Sequence, residues 1–487
     1  MKKKIFLTGA TGVFGSETLK RLLERTDIFE VTTLVRPSSK NKKFMSGFRQ
    51  DGLRIIWGDL LDADAVAQGV ADAEIVLHIG GIVSPKADYM PELTMKTNIG
   101  SIKNIVSAVK KKRNPDETAV VSIGSVSQYG PRKTPLHWCR CGDPMISAEN
   151  DYYAISKIIA ERILAESGLK RWVSLRQSGI LYPELLLKGT EPISFHVPLN
   201  GMIEWTTREQ SGRLLANLCE SDIPDDFWRR FYNIGGGESF RLTNYDFEAK
   251  LMRSLNCPPP EKVFEPNWFA TRNFHGAWFA DSDLLENLFH FRGEMKAESY
   301  FKYMSDSSPK IFKLAGIVPP SLIKLGMKWV ANKEGFGPLN WIKNDNEQLI
   351  YSYFKSKDDW AKIPGWDKFP LEHPSVSQSS AQLLNHGYDE TKPLEELTIE
   401  DMKEAAAFRG GKCLSEDMKK GELWEKLRWE CAEGHQFEAY PGTILLGGHW
   451  CEQCLPPKWR YNKQSKKNIF LAQAWYNTHD RDEKDFD

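Results

Sequence analysis

The segment Thr8-Gly9-Ala10-Thr11-Gly12-Val13-Phe14-Gly15 limits what this chain can fold into more than any other. It follows a strand-like run, KIFLTGA, and opens SETLKRLLERT, whose apolar residues recur with helical periodicity. Gly9 permits a tight turn after the strand. Gly12, lacking a side chain, lets backbone N–H groups approach a pyrophosphate, and Gly15 lets the helix pack closely on the sheet. The helix N-terminus then favours phosphate charge. Gly9, Thr11, Gly12, Val13, Phe14 and Gly15 are therefore expected to hold a dinucleotide.

Downstream, VTTLVR, LRIIWGD, EIVLHIG and AVVSIGS read as strands separated by helix-length segments, and the alternation continues through AISKIIAERILAESG and WVSLRQSGIL. Such alternation predicts an α/β fold, a Rossmann-type doubly wound parallel sheet covered on both faces. Residues 183–305 are more irregular, as expected of a smaller substrate lobe, so 1–305 is read as one unit. Residues 306–397 are read as a helical extension without a catalytic motif. Within it, KIFKLAGIVPPSLIKLGMKWVANKEG is basic and apolar. It suits a packing element or an amphipathic surface touching lipid or a greasy substrate, and the Pro319–Pro320 break favours packing. Residues 398–487 make a third unit: a helical start (TIEDMKEAAAFRG), a cysteine cluster, a basic stretch (KWRYNKQSKK) and an acidic tail (DRDEKDFD) expected to be disordered.

The end of the second strand bears on cofactor choice. An NAD site usually places an acid there for the ribose hydroxyls, whereas this chain reads Val35-Arg36-Pro37-Ser38-Ser39-Lys40. Arg36 and Ser38, with Ser39 and Lys40, can surround a 2′-phosphate, so NADP is expected, with NAD as the alternative. Asp59 and Leu60 end the third strand, where Asp59 suits the adenine amine. Tyr153 and Lys157 stand four residues apart and share a helix face. A phenol is a poor base near neutrality, and an adjacent cation stabilises its phenolate. Lys157 supplies that cation and a hold on the nicotinamide ribose, and Ser125 closes a strand where it can bond the substrate oxygen.

These motifs, with HIGG at 78–81, Asn98 in TNIGSIKNI, SLRQSGILYP at 174–183, FYNIGGGESFRLT at 231–243 and FADSDLLENLFHFR at 279–292, resemble the extended short-chain dehydrogenase/reductase superfamily, the NAD(P)-dependent epimerase/dehydratase group, over about residues 1–300. The resemblance implies Tyr153 as catalytic acid/base, Lys157 as its partner, Ser125 as the carbonyl-orienting hydroxyl, and Asn98 as a cap on neighbouring backbone near the cofactor. The group's sugar-nucleotide dehydratases carry Thr-Asp-Glu where this chain has Ser125-Val126-Ser127, which argues against water elimination. Trp205, Trp228, Trp268, Phe274, His275 and Trp278 fall in the variable lobe, where they suit a pocket or a core. The implied activity is an NAD(P)-dependent oxidoreductase interconverting a carbonyl and an alcohol on a small molecule. The alternatives are a nucleotide-sugar epimerase using the same site, or a non-catalytic NADP-sensing scaffold.

Cys431 and His435, then Cys451 and Cys454, form two short knuckles joined by a strand-like segment (FEAYPGTILLGGHW), and Cys413 precedes them. Zinc takes four soft or borderline ligands, so one of Cys413 and His435 is left over, and the spacing does not say which. The segment from Trp429 to Cys454 resembles small zinc-ribbon modules. Because the other proposed residues all precede residue 160, the ribbon is expected to fold separately and to be unnecessary for catalysis. Cys139 and Cys141 are read as ordinary loop cysteines. Lys+Arg and Asp+Glu are equal at 65 each, so no global field draws the chain to nucleic acid. A protein partner for the ribbon and a homodimer are compatible with the sequence. No spanning helix or signal-peptide core is expected, and the reading is a cytoplasmic protein.

Overall fold

The computed structural model describes residues 2–48, 51–188, 191–309, 316–456 and 459–485. Strands β1 (Lys3–Thr8), β2 (Phe29–Val35), β3 (Leu53–Trp57), β4 (Ile75–His78), β5 (Ala119–Ser125), β6 (Trp172–Gln177) and β7 (Arg230–Ile234) form a seven-stranded sheet in the order β7-β6-β5-β4-β1-β2-β3. All of its pairings are parallel, with Thr8 opposite both Leu34 and His78. Every residue of β5 is buried, as a central strand covered on both faces requires. The order reverses beside β1, and ligands of such sheets bind at that point, beyond the strands' C-terminal ends.

The principal helices are α1 (Val13–Leu23), α2 (Ser39–Met45), α3 (Ala63–Val70), α4 (Pro91–Lys110), α5 (Tyr152–Ala165), α6 (Arg208–Glu220), α7 (Asn244–Ser254) and α8 (Pro320–Ala331). Alternate residues of β1 face opposite cores. Ile5 and Leu7 join Leu19 and Leu22 of α1 and Leu214 and Leu218 of α6, whereas Phe6 joins Val66 of α3, Ile102 and Ile105 of α4 and Leu164 of α5. Strand β7 lies in the region read only as irregular; Arg230 and Asn233 break up its sequence RFYNI, so it lacks the β-branched run that marks the earlier strands. WVSLRQSGIL is a sheet strand only to Gln177, after which Ile180–Leu181 pairs with Thr206–Thr207.

The extension is helical only in its first half. After α8 come Pro338–Lys343, Glu347–Phe354 and Lys357–Ala361; the remainder is an extended strap with short 3₁₀ turns. Pro364, Pro370 and Pro374 interrupt helical hydrogen bonding there. The strap is tied down by Asn200 donating to the Pro370 carbonyl (2.9 Å), Arg241 to the Val376 carbonyl (2.7 Å) and a buried His386–Asp143 contact (2.8 Å). The KIFKLA portion of the basic-apolar run, Lys310 to Ala315, lies outside the described residues.

In the third segment, Ile399–Phe408 is a helix, and β8 (Lys412–Cys413), β9 (Leu427–Glu430) and β10 (Gln436–Ala439) form an antiparallel sheet. The segment read as strand-like extends only to Ala439, because Pro441–Leu445 turns helical. This region does not stand apart as expected. Trp459, Tyr461, Leu471 and Trp475 share one core with Ile146 and with Ile155 of α5. The tail is not disordered over its described length: buried Glu483 pairs with Arg272 at 2.6 Å, a contact local composition could not reveal. Its last residues, 486–487, and Lys458 of the basic stretch lie outside the described residues.

Candidate active site and a four-ligand cluster

Gly9 adopts φ +79°, and a Cβ there would stand 2.7 Å from the Gly80 nitrogen. A side chain on Gly15 would run into the Gly9 carbonyl, so α1 begins hard against the end of β1. Gly12 is the N-cap of α1, and its amide donates back to Gly9 O at 2.9 Å. Gly9, Thr11, Gly12, Val13, Phe14 and Gly15 line one wall of a cavity of about 1110 Å³ that also takes in Arg36, Asp59, Leu60, Ser125, Tyr153 and Lys157. Unpaired N–H groups of the first helical turn suit a pyrophosphate here.

The remaining cofactor candidates divide. Arg36 lines the cavity, as does Asn41, which the sequence reading did not single out. Ser38 instead caps α2, accepting from the Asn41 amide at 3.1 Å, and neither it, Ser39 nor Lys40 is among the lining residues. Asp59 accepts from the Leu61 amide at 2.9 Å. Asn98 sits behind the cavity wall. It accepts from the Ile82 amide (2.8 Å) and donates to the Ile82 carbonyl (3.0 Å) and the Ser156 hydroxyl (2.9 Å), fixing the glycine-rich stretch after β4 to α5.

Ser125, Tyr153 and Lys157 meet where the glycine loop gives way to the wider chamber. Ser125 Oγ accepts from the Ser127 hydroxyl at 2.9 Å and from its amide at 3.2 Å, while Gln128 accepts from the Ser125 amide. The serine is thereby held in one orientation. Asp151 caps α5 by accepting from the Ala154 amide at 2.8 Å, and its other oxygen meets His275 Nδ1 at 3.1 Å. Burial pushes the Tyr153 phenol up to about 12, opposed by its hydrogen bond with Ser125. Burial lowers Lys157 to about 8, opposed by the charge of Glu161. Lys157 Nζ donates to the Ile123 carbonyl at 2.8 Å and lies 5.9 Å from the Tyr153 ring centroid. A cation, a phenol and a hydroxyl in one cleft can move a proton to or from an alcohol oxygen.

Beyond Tyr153 the chamber is walled by apolar side chains, among them Leu186, Phe195, Ile203, Phe247, Met252 and Met327. Of the aromatic candidates, Trp205, Phe274 and His275 line it, whereas Trp228, Trp268 and Trp278 belong to separate cores. Glu248 also lines it. Its carboxyl has no hydrogen-bond partner among the described residues, and burial pushes it up to about 7. No sequence signal pointed to Glu248, which reads as an ordinary helix-surface acid.

The back of α5 is held by a buried network. Glu161 accepts from Arg176 (2.7 and 3.0 Å), the Ser174 hydroxyl (2.6 Å) and His449 Nε2 (2.8 Å), and Arg176 also donates to the Gly447 carbonyl (2.7 Å). Burial alone would raise the Glu161 carboxyl, but Arg176 and the bond with His449 bring it well below the usual carboxylate range. Next to it, Arg162 donates to the Trp450 carbonyl.

Cys451 follows directly. Cys431, His435, Cys451 and Cys454 present ligand atoms all within 4.8 Å of one another. His435 Nδ1 stands 3.5 Å from Cys431 Sγ, 3.5 Å from Cys451 Sγ and 3.4 Å from Cys454 Sγ, and Cys431 and Cys454 sulfurs are 3.8 Å apart. A tetrahedron with zinc–sulfur arms of ≈ 2.3 Å has edges of about 3.8 Å, so the four atoms have the spacing that such an ion requires. Cys413 is not of this group: it pairs with Trp429 in the sheet. The structure thus groups His435, and not Cys413, with the other three cysteines. Cys139 is buried in a short strand, Trp138–Cys139, and Cys139 and Cys141 are both free thiols.

Residues 5–176 match the profile of the NAD dependent epimerase/dehydratase family. The UDP-N-acetylglucosamine 4,6-dehydratase (inverting) of Campylobacter jejuni subsp. jejuni is 32% identical over 108 residues, 22% of this chain and 32% of that protein. The UDP-glucose 4-epimerase of Rickettsia canadensis is 25% identical over 115 residues, 23% of this chain and 34% of that protein. The chain thus spans about a third of the length of these curated relatives. Among solved structures, UDP-glucuronic acid 4-epimerase from Bacillus cereus, in complex with UDP-glucuronic acid and NAD, superposes with a TM-score of 0.50 at 16% identity, over 62% of this chain and 98% of that one, a likeness of fold. Among the described residues no helix is long and apolar enough to cross a membrane. Residues 5–176 thus form a domain that matches the NAD dependent epimerase/dehydratase family, over about a third of the chain.

Proposed function

We propose that this chain is an NAD(P)-dependent oxidoreductase that interconverts an alcohol and a carbonyl on a small molecule with an apolar body. The observation that carries the reading is the convergence of Ser125, Tyr153 and Lys157 on one cavity, with the glycine loop at one end and an apolar chamber at the other. The dinucleotide, held by the glycine loop and α1, supplies hydride exchange. In the oxidation direction Tyr153 takes the alcohol proton, Lys157 stabilises the phenolate charge, and Ser125 keeps a hydrogen bond on the oxygen as it becomes a carbonyl. Arg36 and Asn41 surround the adenine ribose, and Arg36 favours NADP.

The chamber weighs against a nucleotide sugar. A diphosphate calls for cationic partners, and the only Lys or Arg among the described lining residues are Arg36, at the cofactor end, and Lys157. Glu191 and Glu248 add acids instead. An intact Ser–Tyr–Lys set also weighs against a purely sensing role. The four-ligand cluster is read as structural zinc, since all four tetrahedral positions are filled by protein side chains, with no place for substrate or an activated water.

The test is turnover with NADPH and NADH against cyclic and long-chain apolar ketones and, separately, UDP-sugars. The expected result is ketone reduction that Tyr153→Phe lowers by at least about a hundredfold with cofactor binding preserved. Turnover of UDP-sugars alone, or near-native activity in the variant, overturns it.

A further inference from the structure

Helix α8 is apolar on two sides. Ile323 and Met327 face the chamber, and Val330 and Ala331 pack with Phe264 and Trp268. The opposite side is not covered: Leu322, Leu325 and Trp329 are 58%, 66% and 67% exposed, and Ile317, just before the helix, is 78% exposed. Positions 322, 325 and 329 fall on one stripe of a helix. Scattered exposed leucines need no explanation, but a contiguous stripe of this kind marks a surface with a partner.

The charge pattern identifies the partner. Between Gly316 and Lys333 there are three lysines and no acid. Lys324 and Lys333 are tied to Glu265 and Glu191, and Lys328 has no carboxylate partner among the described residues. Leucines with a tryptophan along one side and lysine beside them are the composition of a helix lying in the plane of an anionic bilayer surface. Neither the length nor the hydropathy of α8 permits it to span.

We propose that α8 seats the protein on an anionic phospholipid surface through Ile317, Leu322, Leu325 and Trp329, with Lys328 against the headgroups. One helix, about 10 Å across, then separates the bilayer from the apolar chamber. This surface goes beyond the proposed reaction and does not depend on it.

The experiment is co-sedimentation of the full chain with vesicles of phosphatidylcholine, with and without phosphatidylserine. Binding is expected to the phosphatidylserine vesicles, to weaken with added salt, and to fall at least about tenfold in the combined variant Leu322→Ser, Leu325→Ser, Trp329→Ser. Lys328→Glu should weaken binding only where phosphatidylserine is present. Because these side chains are exposed, cofactor titration of each variant should match the native chain and show that it folds. Tyr153→Phe should bind vesicles normally, so a failed redox assay and a failed vesicle assay are separate results. Absence of binding by the native chain overturns the proposal, as does equal binding by the combined variant. A native dimer that the combined variant converts to monomer, without vesicle binding, assigns the stripe to a second copy and also overturns it.

Discussion

Replacing Glu161 by alanine exposes how α5, the helix that carries Tyr153 and Lys157, is held. The Glu161 and Arg176 side chains are 1% and 0% exposed, and among the described residues the carboxylate is the sole ionic partner of that guanidinium. Removing one member of a buried pair leaves the other charge uncompensated, at a cost of about 3–5 kcal/mol. At about 2–4 °C per kcal/mol for a domain of this size, Glu161→Ala should lower the thermal midpoint by roughly 6–20 °C. The Arg176 bonds to Tyr129 (2.7 Å) and the Gly447 carbonyl do not replace the lost charge, since neither acceptor is ionised. Combining Glu161→Leu with Arg176→Met removes both charges, and such replacements are often near neutral, so the pair should melt well above Glu161→Ala. Thermal unfolding followed by tryptophan fluorescence reads both. A loss below about 1 kcal/mol in the single variant, or a double variant no more stable than it, refutes the argument.

The activity should also report on Lys157. With the ammonium held near 8, turnover that needs its charge should be lost as pH rises through about 8, and Glu161→Gln, which removes a stabilising charge, should move that limb to lower pH; a flat profile from 7 to 10 contradicts it. Arg36→Ala should weaken NADPH binding at least about tenfold and leave NADH little changed, by fluorescence titration; equal loss for both removes the arginine from 2′-phosphate recognition. Elemental analysis should find one zinc per chain, and Cys451→Ser should lower the thermal midpoint by at least about 5 °C. A metal-free native protein would make the four groups ordinary thiols and an imidazole.

The sheet strands through β6 and the glycine loop were legible because their signals are local: β-branched runs, glycine spacing and helical periodicity. That Tyr153 and Lys157 share a helix face was legible because helix geometry fixes how i and i+4 side chains lie, and the cavity takes in both together with Ser125 from the end of β5. The choice of His435 over Cys413 was not, since a cysteine two residues past a glycine pair looks the same whether its strand points it inward or along a sheet. Ser38 fulfils the spacing for a phosphate contact yet spends its hydroxyl on a helix cap. The union of the C-terminal segment with α5 was out of reach altogether. The bond from His449 to Glu161 joins residues separated by 288 positions, and nothing in either neighbourhood names its partner.

That long separation has a consequence for how the protein is made. Chains emerge from the ribosome N-terminus first, and domains tend to fold in that order. The strands and the glycine loop can assemble early, but the rear of α5 waits for Trp459, Tyr461 and Trp475, which are synthesised long after it. Asn477 accepts from the Lys133 amide at 2.7 Å across 344 positions, closing the same face. Until those residues emerge, the helix that carries Tyr153 and Lys157 has an unsealed apolar flank, so the glycine loop and that helix mature at different times, and a chain stopped before Trp459 loses the second before the first.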